Sequence, residues 1–236
     1  MRQVYSAIQQ FFIAIALAAI GSVISNIQSL SGLGSLLTIV GSVMSIISVY
    51  RLRHENRHFA KAFKYFWIYV GLTVVLTILA VAVLVSALAS AGSSSDALIA
   101  SVLGGSMLFS VVMVIMAIVI LVLALMVQYQ TYAGFEELRE LRELNYPPKR
   151  ILWCFYISII SMIITFAAVA GSVFLMIGAL TGGDAALYAA IDTLDMAANV
   201  MLVVGVVIEA VQLWLVFTYM QAAKAAVDAE RPENWG

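Results

Sequence analysis

Six long apolar runs, separated by short polar stretches, dominate the pattern of this chain. Each run is long enough to cross a roughly 30 Å hydrocarbon layer, because about 20 residues at 1.5 Å rise do so as a helix. The pattern predicts helices at about 8–29, 34–51, 62–90, 97–133, 151–179 and 185–222. The expected fold is therefore all-α: a polytopic integral membrane protein of six transmembrane helices in one membrane domain, 1–236. It divides into three hairpins, at about 1–60, 61–145 and 146–225, followed by a short tail, 226–236. The first run follows Arg2 and Gln3 and has the look of a signal peptide. It is long for the apolar core of one, and keeping it as a helix makes the helix count even.

Some landmarks recur. Lys64-x-x-Trp67 stands at the start of the third run and Arg150-x-x-Trp153 at the start of the fifth. Ser93-Ser-Ser-Asp96 precedes the fourth run and Thr181-Gly-Gly-Asp184 the sixth. Tyr132 and Tyr219 close those two runs. The offsets are nearly equal, as expected if the second and third hairpins are copies related by an axis along the membrane normal. Gly21-Ser22-Val23 and Gly171-Ser172-Val173 extend the likeness to the first hairpin. Ser93-x-x-Asp96 and Thr181-x-x-Asp184 also resemble capping boxes, and Gly104-Gly105 is the natural break in the long fourth run.

Charge orients this arrangement. Only 11% of residues are charged and 64% are hydrophobic, far from the roughly 25% charged of a soluble domain. All 12 Lys and Arg residues fit on one side of a membrane. Arg2 precedes the first helix; Arg51, Arg53, Arg57, Lys61 and Lys64 lie between the second and third. Arg139, Arg142, Lys149 and Arg150 lie between the fourth and fifth, and Lys224 and Arg231 follow the sixth. The other connections carry Asp96, Asp184, Asp192 and Asp195 but no basic residue. The positive-inside rule then places both termini in the cytoplasm and the protein in the cell membrane. Tyr50, Tyr65, Trp67, Tyr69, Tyr129, Tyr132, Trp153, Tyr156, Trp214 and Tyr219 gather at the basic edge and read as an interfacial belt.

Small residues four apart, at Ala14/Ala18, Gly21/Ser25, Gly41/Ser45 and Gly178/Gly182, fit close helix packing. The stretch Phe135–Leu144 continues the fourth helix, with Phe135, Leu138, Leu141 and Leu144 every third residue, until Pro147 and Pro148 end it. The 135–150 segment is a candidate docking surface for a cytoplasmic protein partner.

Two sets of residues could carry chemistry. Glu209 is the one carboxylate deep within an apolar run, and such residues usually face a bundle interior and mark ion or proton pathways. Gln212 is within hydrogen-bonding reach along the helix. Asp192, Asp195 and Asn199 share one face above it, so a cation or small solute could meet an acidic entrance and then a protonatable site at the midplane. The second set is His54-Glu55-Asn56-Arg57-His58, the H-E-x-x-H spacing in which two histidines on one helix face bind zinc and the glutamate serves as general base. Arg57 inside it, and Arg51, Arg53 and Lys61 around it, oppose a bound cation. The expected cofactor is accordingly none, with zinc as the alternative.

The lone Cys154 excludes an intrachain disulfide and a thiolate cluster. Gly-x-Ser-x-Gly, P-loop and dinucleotide motifs are lacking. The mixed charge of the basic face forms no stripe for nucleic acid. The leading expectation is a small-solute or cation transporter, or a membrane subunit of one. A non-catalytic accessory or scaffold protein in the bilayer is the alternative, and a membrane zinc metalloprotease the third.

Overall fold

The computed structural model describes residues 1–91, 107–182 and 184–230. Those residues form helices α1 (Arg2–Ser25), α2 (Ser31–Leu52), α3 (Arg57–Ala91), α4 (Met107–Leu141), α5 (Trp153–Gly182) and α6 (Asp184–Ala229). Short 3₁₀ turns at Gln28–Leu30 and Arg150–Leu152 precede α2 and α5. The described chain is otherwise loop and turn, and each of the 6 helices holds a stretch long and apolar enough to cross a membrane. The pairs α1/α2, α3/α4 and α5/α6 run alongside one another, while α1 also packs on α6 and α2 on α3.

Small residues explain the first pair. A methyl placed on Gly41 would lie 2.5 Å from the Ala14 carbonyl oxygen, and one on Gly21 would lie 2.6 Å from the Gly34 oxygen and the Thr38 nitrogen. The two backbones therefore touch, as expected where helices associate by van der Waals contact. Three of the four small-residue sets thus serve packing within the chain. Gly178 and Gly182 lie at the far end of α5.

The main core lies at the basic end. Phe11 of α1, Phe59 of α3, Phe135 of α4 and Tyr219 of α6 meet there, with ring centroids 4.8 to 5.4 Å apart. Tyr146, from the α4–α5 connection, packs edge-to-face against Tyr219 at 5.1 Å. The Tyr219 hydroxyl donates to the Phe135 carbonyl at 2.7 Å, and the Tyr146 hydroxyl to the Leu215 carbonyl at 3.2 Å. Burial pushes the Tyr146 phenol above its ordinary range, so it remains a donor at neutral pH. Tyr132 and Tyr219, expected in the belt, are instead buried core residues. Trp67, Trp153, Trp214, Tyr50, Tyr129 and Tyr156 of the same set are exposed on the perimeter. The Arg150 guanidinium caps the Trp214 ring at 4.4 Å.

The 135–150 segment contributes four side chains to this core and leaves about half of its residues exposed. Phe135, Leu138, Leu144 and Tyr146 are buried, and only Leu141 of the every-third-residue set is exposed, at 59%. A repeat of three drifts off one face of a 3.6-residue helix, and α4 stops at Leu141, before the prolines. Glu143 adopts a left-handed conformation, φ 49°. The Leu144 N–H then bonds back to the Arg139 carbonyl at 3.0 Å and the Glu143 N–H to the Glu140 carbonyl at 3.3 Å. This is a Schellman stop, and it turns Leu144 into the core. Glu136 fixes the next bend: its Oε1 accepts from Arg139 Nε and from the Lys149 backbone N–H, both at 2.9 Å.

The two Lys/Arg-x-x-Trp steps open their helices differently. Lys64 and Trp67 lie about two and three turns inside α3, whereas Arg150 starts a 3₁₀ turn ahead of α5. Thr181 lies within α5 and so is not a cap in front of Asp184. Ser93–Asp96 and Gly104–Gly105 fall outside the described residues.

Helix lengths differ in a way that matters for the site. With 24 and 22 residues, α1 and α2 are about 36 and 33 Å long. With 35, 35 and 46 residues, α3, α4 and α6 extend to about 52, 52 and 69 Å. The shared core aligns all of them at the basic end. Their excess length therefore lies at the far end, beyond α1 and α2.

Candidate functional site

Glu209 lies in the seam between α6 and α1. Ala19, Ile20, Val23 and Ile24 of α1 and Val206, Ala210 and Leu213 of α6 line a crevice of about 260 Å³ around it. The Ser22 side chain of α1 is the polar group that interacts with it across the seam. Helix α1 ends at Ser25, so Ser22 is less than one turn from that end. Its distance from the first turn of α1 is about 30 Å along the axis. Glu209 is thus central within α6 but lies in the far third of the first hairpin.

Gln212 does not face Glu209. Its Nε2 donates to Ser158 Oγ at 2.8 Å and to the Cys154 carbonyl at 3.1 Å, both on α5. Three residues turn a helix by about 300°, which leaves the two side chains about 60° apart. Because α6 runs between α1 and α5, that angle is enough to send Glu209 to one neighbour and Gln212 to the other. The sequence contained Ser22 and Ser158, but hydroxyls are common in membrane helices. Only the packing singles these two out.

Asp192, Asp195 and Asn199 do not form a vestibule with Glu209. Asp192 is exposed. Asp195 lines a groove between α5 and α6, with Thr165, Ala168, Ser172 and Met201. Asn199 lines a separate shallow surface on α6, with Met196, Val200 and Val203. Fourteen residues separate Asp195 from Glu209, about 21 Å along the helix. Helix α1 has already ended at that level.

His54, Glu55 and His58 lie at the basic end, where the helix required by H-E-x-x-H is interrupted. Helix α2 stops at Leu52 and α3 starts at Arg57. Asn56 makes the break, because its Oδ1 accepts from the Phe59 N–H at 3.1 Å, the bond of a helix N-cap. Its Nδ2 donates to the Gly134 carbonyl of α4 at 2.7 Å, which ties this cap to the core. His54, in the turn, accepts from Arg53 Nε at 3.0 Å. His58, on α3, donates from Nδ1 to Gln130 Oε1 at 2.7 Å, since a carbonyl oxygen can only accept. Its Nε2 is 3.9 Å from Glu137 Oε2. Glu55 pairs with Arg142 at 2.7 Å. The imidazoles therefore occupy separate elements, and the glutamate is held by a guanidinium. Among the described residues, no three His, Cys, Asp or Glu side chains are grouped to hold a metal.

No protein-family model, no curated protein and no solved structure matches this chain.

Proposed function

We propose that the protein is a multi-pass cell-membrane protein that moves protons or a small cation, alone or as the membrane subunit of a transporter. Glu209 is its protonatable group. The observation that carries this reading is the position of that carboxylate. It sits at a seam between two helices, partly buried and beside one hydroxyl, where a carboxylate is costly unless it has a role. The basic end faces the cytoplasm by the positive-inside rule. The far ends of α5 and α6 then project outward, carrying Asp192 and Asp195 and making that side of the protein acidic. The likeness between hairpins, from Trp67 and Trp153 to Tyr132 and Tyr219, supports an origin by repetition of a helical hairpin.

A second reading is favoured by the wall of the crevice. Every lining side chain except Glu209 is apolar. A protonated Glu209 bonded to Ser22 could simply pin α1 to α6 in a non-transporting accessory protein. Flux in reconstituted vesicles separates the two. Under an imposed pH gradient or cation gradient, the transport reading expects flux from the wild type and none from Glu209→Gln, which keeps the shape and loses the proton site. Equal flux from both removes Glu209 from the mechanism. No flux from either, under both gradients, leaves the accessory reading.

A further inference from the structure

The geometry points to a binding site for the phosphate of an anionic phospholipid at the basic end of the α1/α2 hairpin, held by Arg2 and Arg51. A concavity of about 490 Å³ opens there, lined by Arg2, Gln3 and Ser6 of α1, by Arg51 and Leu52 of α2, and by Glu55 just beyond.

Charge is the first argument. Glu55 is the one carboxylate in the lining, and it is already bound to Arg142 at 2.7 Å. Among the described residues, neither Arg2 nor Arg51 has an acidic partner. Arg51 spends one N–H on the neutral Gln10 oxygen, at 2.9 Å, and keeps the rest of its fork. The concavity therefore has two uncompensated guanidiniums, with the Gln3 amide and the Ser6 hydroxyl beside them. That is the donor set a phosphate monoanion takes, since guanidinium binds phosphate through paired, charge-assisted hydrogen bonds.

The surface above selects a lipid over a soluble phosphate. Arg51 sits in the last turn of α2. On an ideal helix Ile47, Val40, Leu36 and Leu33 lie within about 60° of it. All four are exposed, so they continue outward from Arg51 as an apolar stripe with no protein against it. A phosphate seated between Arg2 and Arg51 would have acyl chains lying along that stripe, and both parts of the molecule would be matched. Basic pockets between membrane helices bind anionic head groups by this combination.

The site is independent of Glu209, which lies on α6 and faces the far end of α1. The test is native mass spectrometry of the full chain, titrated with phosphatidylglycerol and with phosphatidylcholine. The wild type should hold one phosphatidylglycerol in clear preference to phosphatidylcholine. Arg2→Gln with Arg51→Gln should weaken that binding about tenfold or more. Arg2→Lys with Arg51→Lys, which keeps the charge, should retain part of the preference and shows that a loss is not misfolding. Arg57→Gln with Lys64→Gln removes as much charge from the same end and should leave binding within about twofold. Undiminished binding by the first variant overturns the proposal, and so does an equal loss in the last, which would mean a diffuse basic surface. Displacement of the lipid by excess inorganic phosphate also overturns it, in favour of a soluble anion.

Discussion

The two halves of α6 are built from the same kinds of residue and have opposite surroundings. From Leu215 to Ala223, toward the basic end, Leu215, Val216, Tyr219, Met220 and Ala223 are buried among side chains from α1, α4 and the α4–α5 connection. From Tyr188 to Val207, toward the far end, most side chains are exposed, and α5 is the main neighbour. Hydrophobicity therefore does not decide which half is core. The neighbours do: α1 and α2 are short, and the core aligns them with the basic end. Glu209 stands at the boundary between the two halves, next to the last full turn of α1.

If this contrast is right, identical substitutions should cost different amounts at the two ends. The largest difference is expected between two phenylalanines. Phe135 is 2% exposed and touches three other rings, whereas Phe166 on α5 is 75% exposed. Phe135→Ala should cost about 3–5 kcal/mol, and Phe166→Ala should cost little in a micelle or bilayer. Thermal melting of both variants in the same lipid checks this, and similar melting points would break the contrast.

Glycine gives the next difference, within the membrane helices themselves. Gly41→Ala should lower stability by about 1–3 kcal/mol, because its methyl would meet the α1 backbone at Ala14 and Ala18 and the Ala18 methyl, none of which can swing aside. Gly71→Ala on α3 meets nothing within 4 Å and should raise stability by about 0.5–1 kcal/mol, the usual gain over a helical glycine. Melting curves of opposite sign would show that a helix backbone lies against Gly41 and none lies against Gly71.

A single hydroxyl is a finer probe. Tyr219→Phe removes the 2.7 Å bond to the Phe135 carbonyl and should cost about 1–2 kcal/mol, while the same change at exposed Tyr188 should be neutral. The smallest effect concerns the stop of α4. Glu143 holds a conformation that glycine adopts freely, so Glu143→Gly should be neutral or stabilising by about 0.5–1 kcal/mol. A clear destabilisation would mean that the Glu143 side chain, and not the Schellman geometry, ends the helix.

These expectations also mark what the residues alone could reveal. Apolar runs and basic clusters are legible because span length and charge side depend on composition over about 20 residues. The depth of a particular residue is not legible in this way. Tyr132 and Tyr219 sit at the basic edge just as Trp67 and Trp214 do, and only the packing of α1 and α4 around them makes them core. H-E-x-x-H has correct spacing for a zinc helix, yet Asn56 inside it is a strong helix cap and splits it. That signal is in the sequence, but it competes with the apolar runs on both sides. Glu209 stood out as the lone deep carboxylate. Its true neighbours, Ser22 and not Gln212, follow from which helices flank α6, and no local spacing encodes that.

The placement of Glu209 at the α1–α6 boundary is the claim on which the rest depends. Cysteine cross-linking tests it most directly, in a background with Cys154→Ser and with a short bifunctional thiol reagent applied to the protein in lipid. Ser22→Cys with Glu209→Cys should cross-link efficiently, and Ser22→Cys with Gln212→Cys should not, because Gln212 points at α5. Equal cross-linking of both pairs, or cross-linking of the second alone, would contradict the seam.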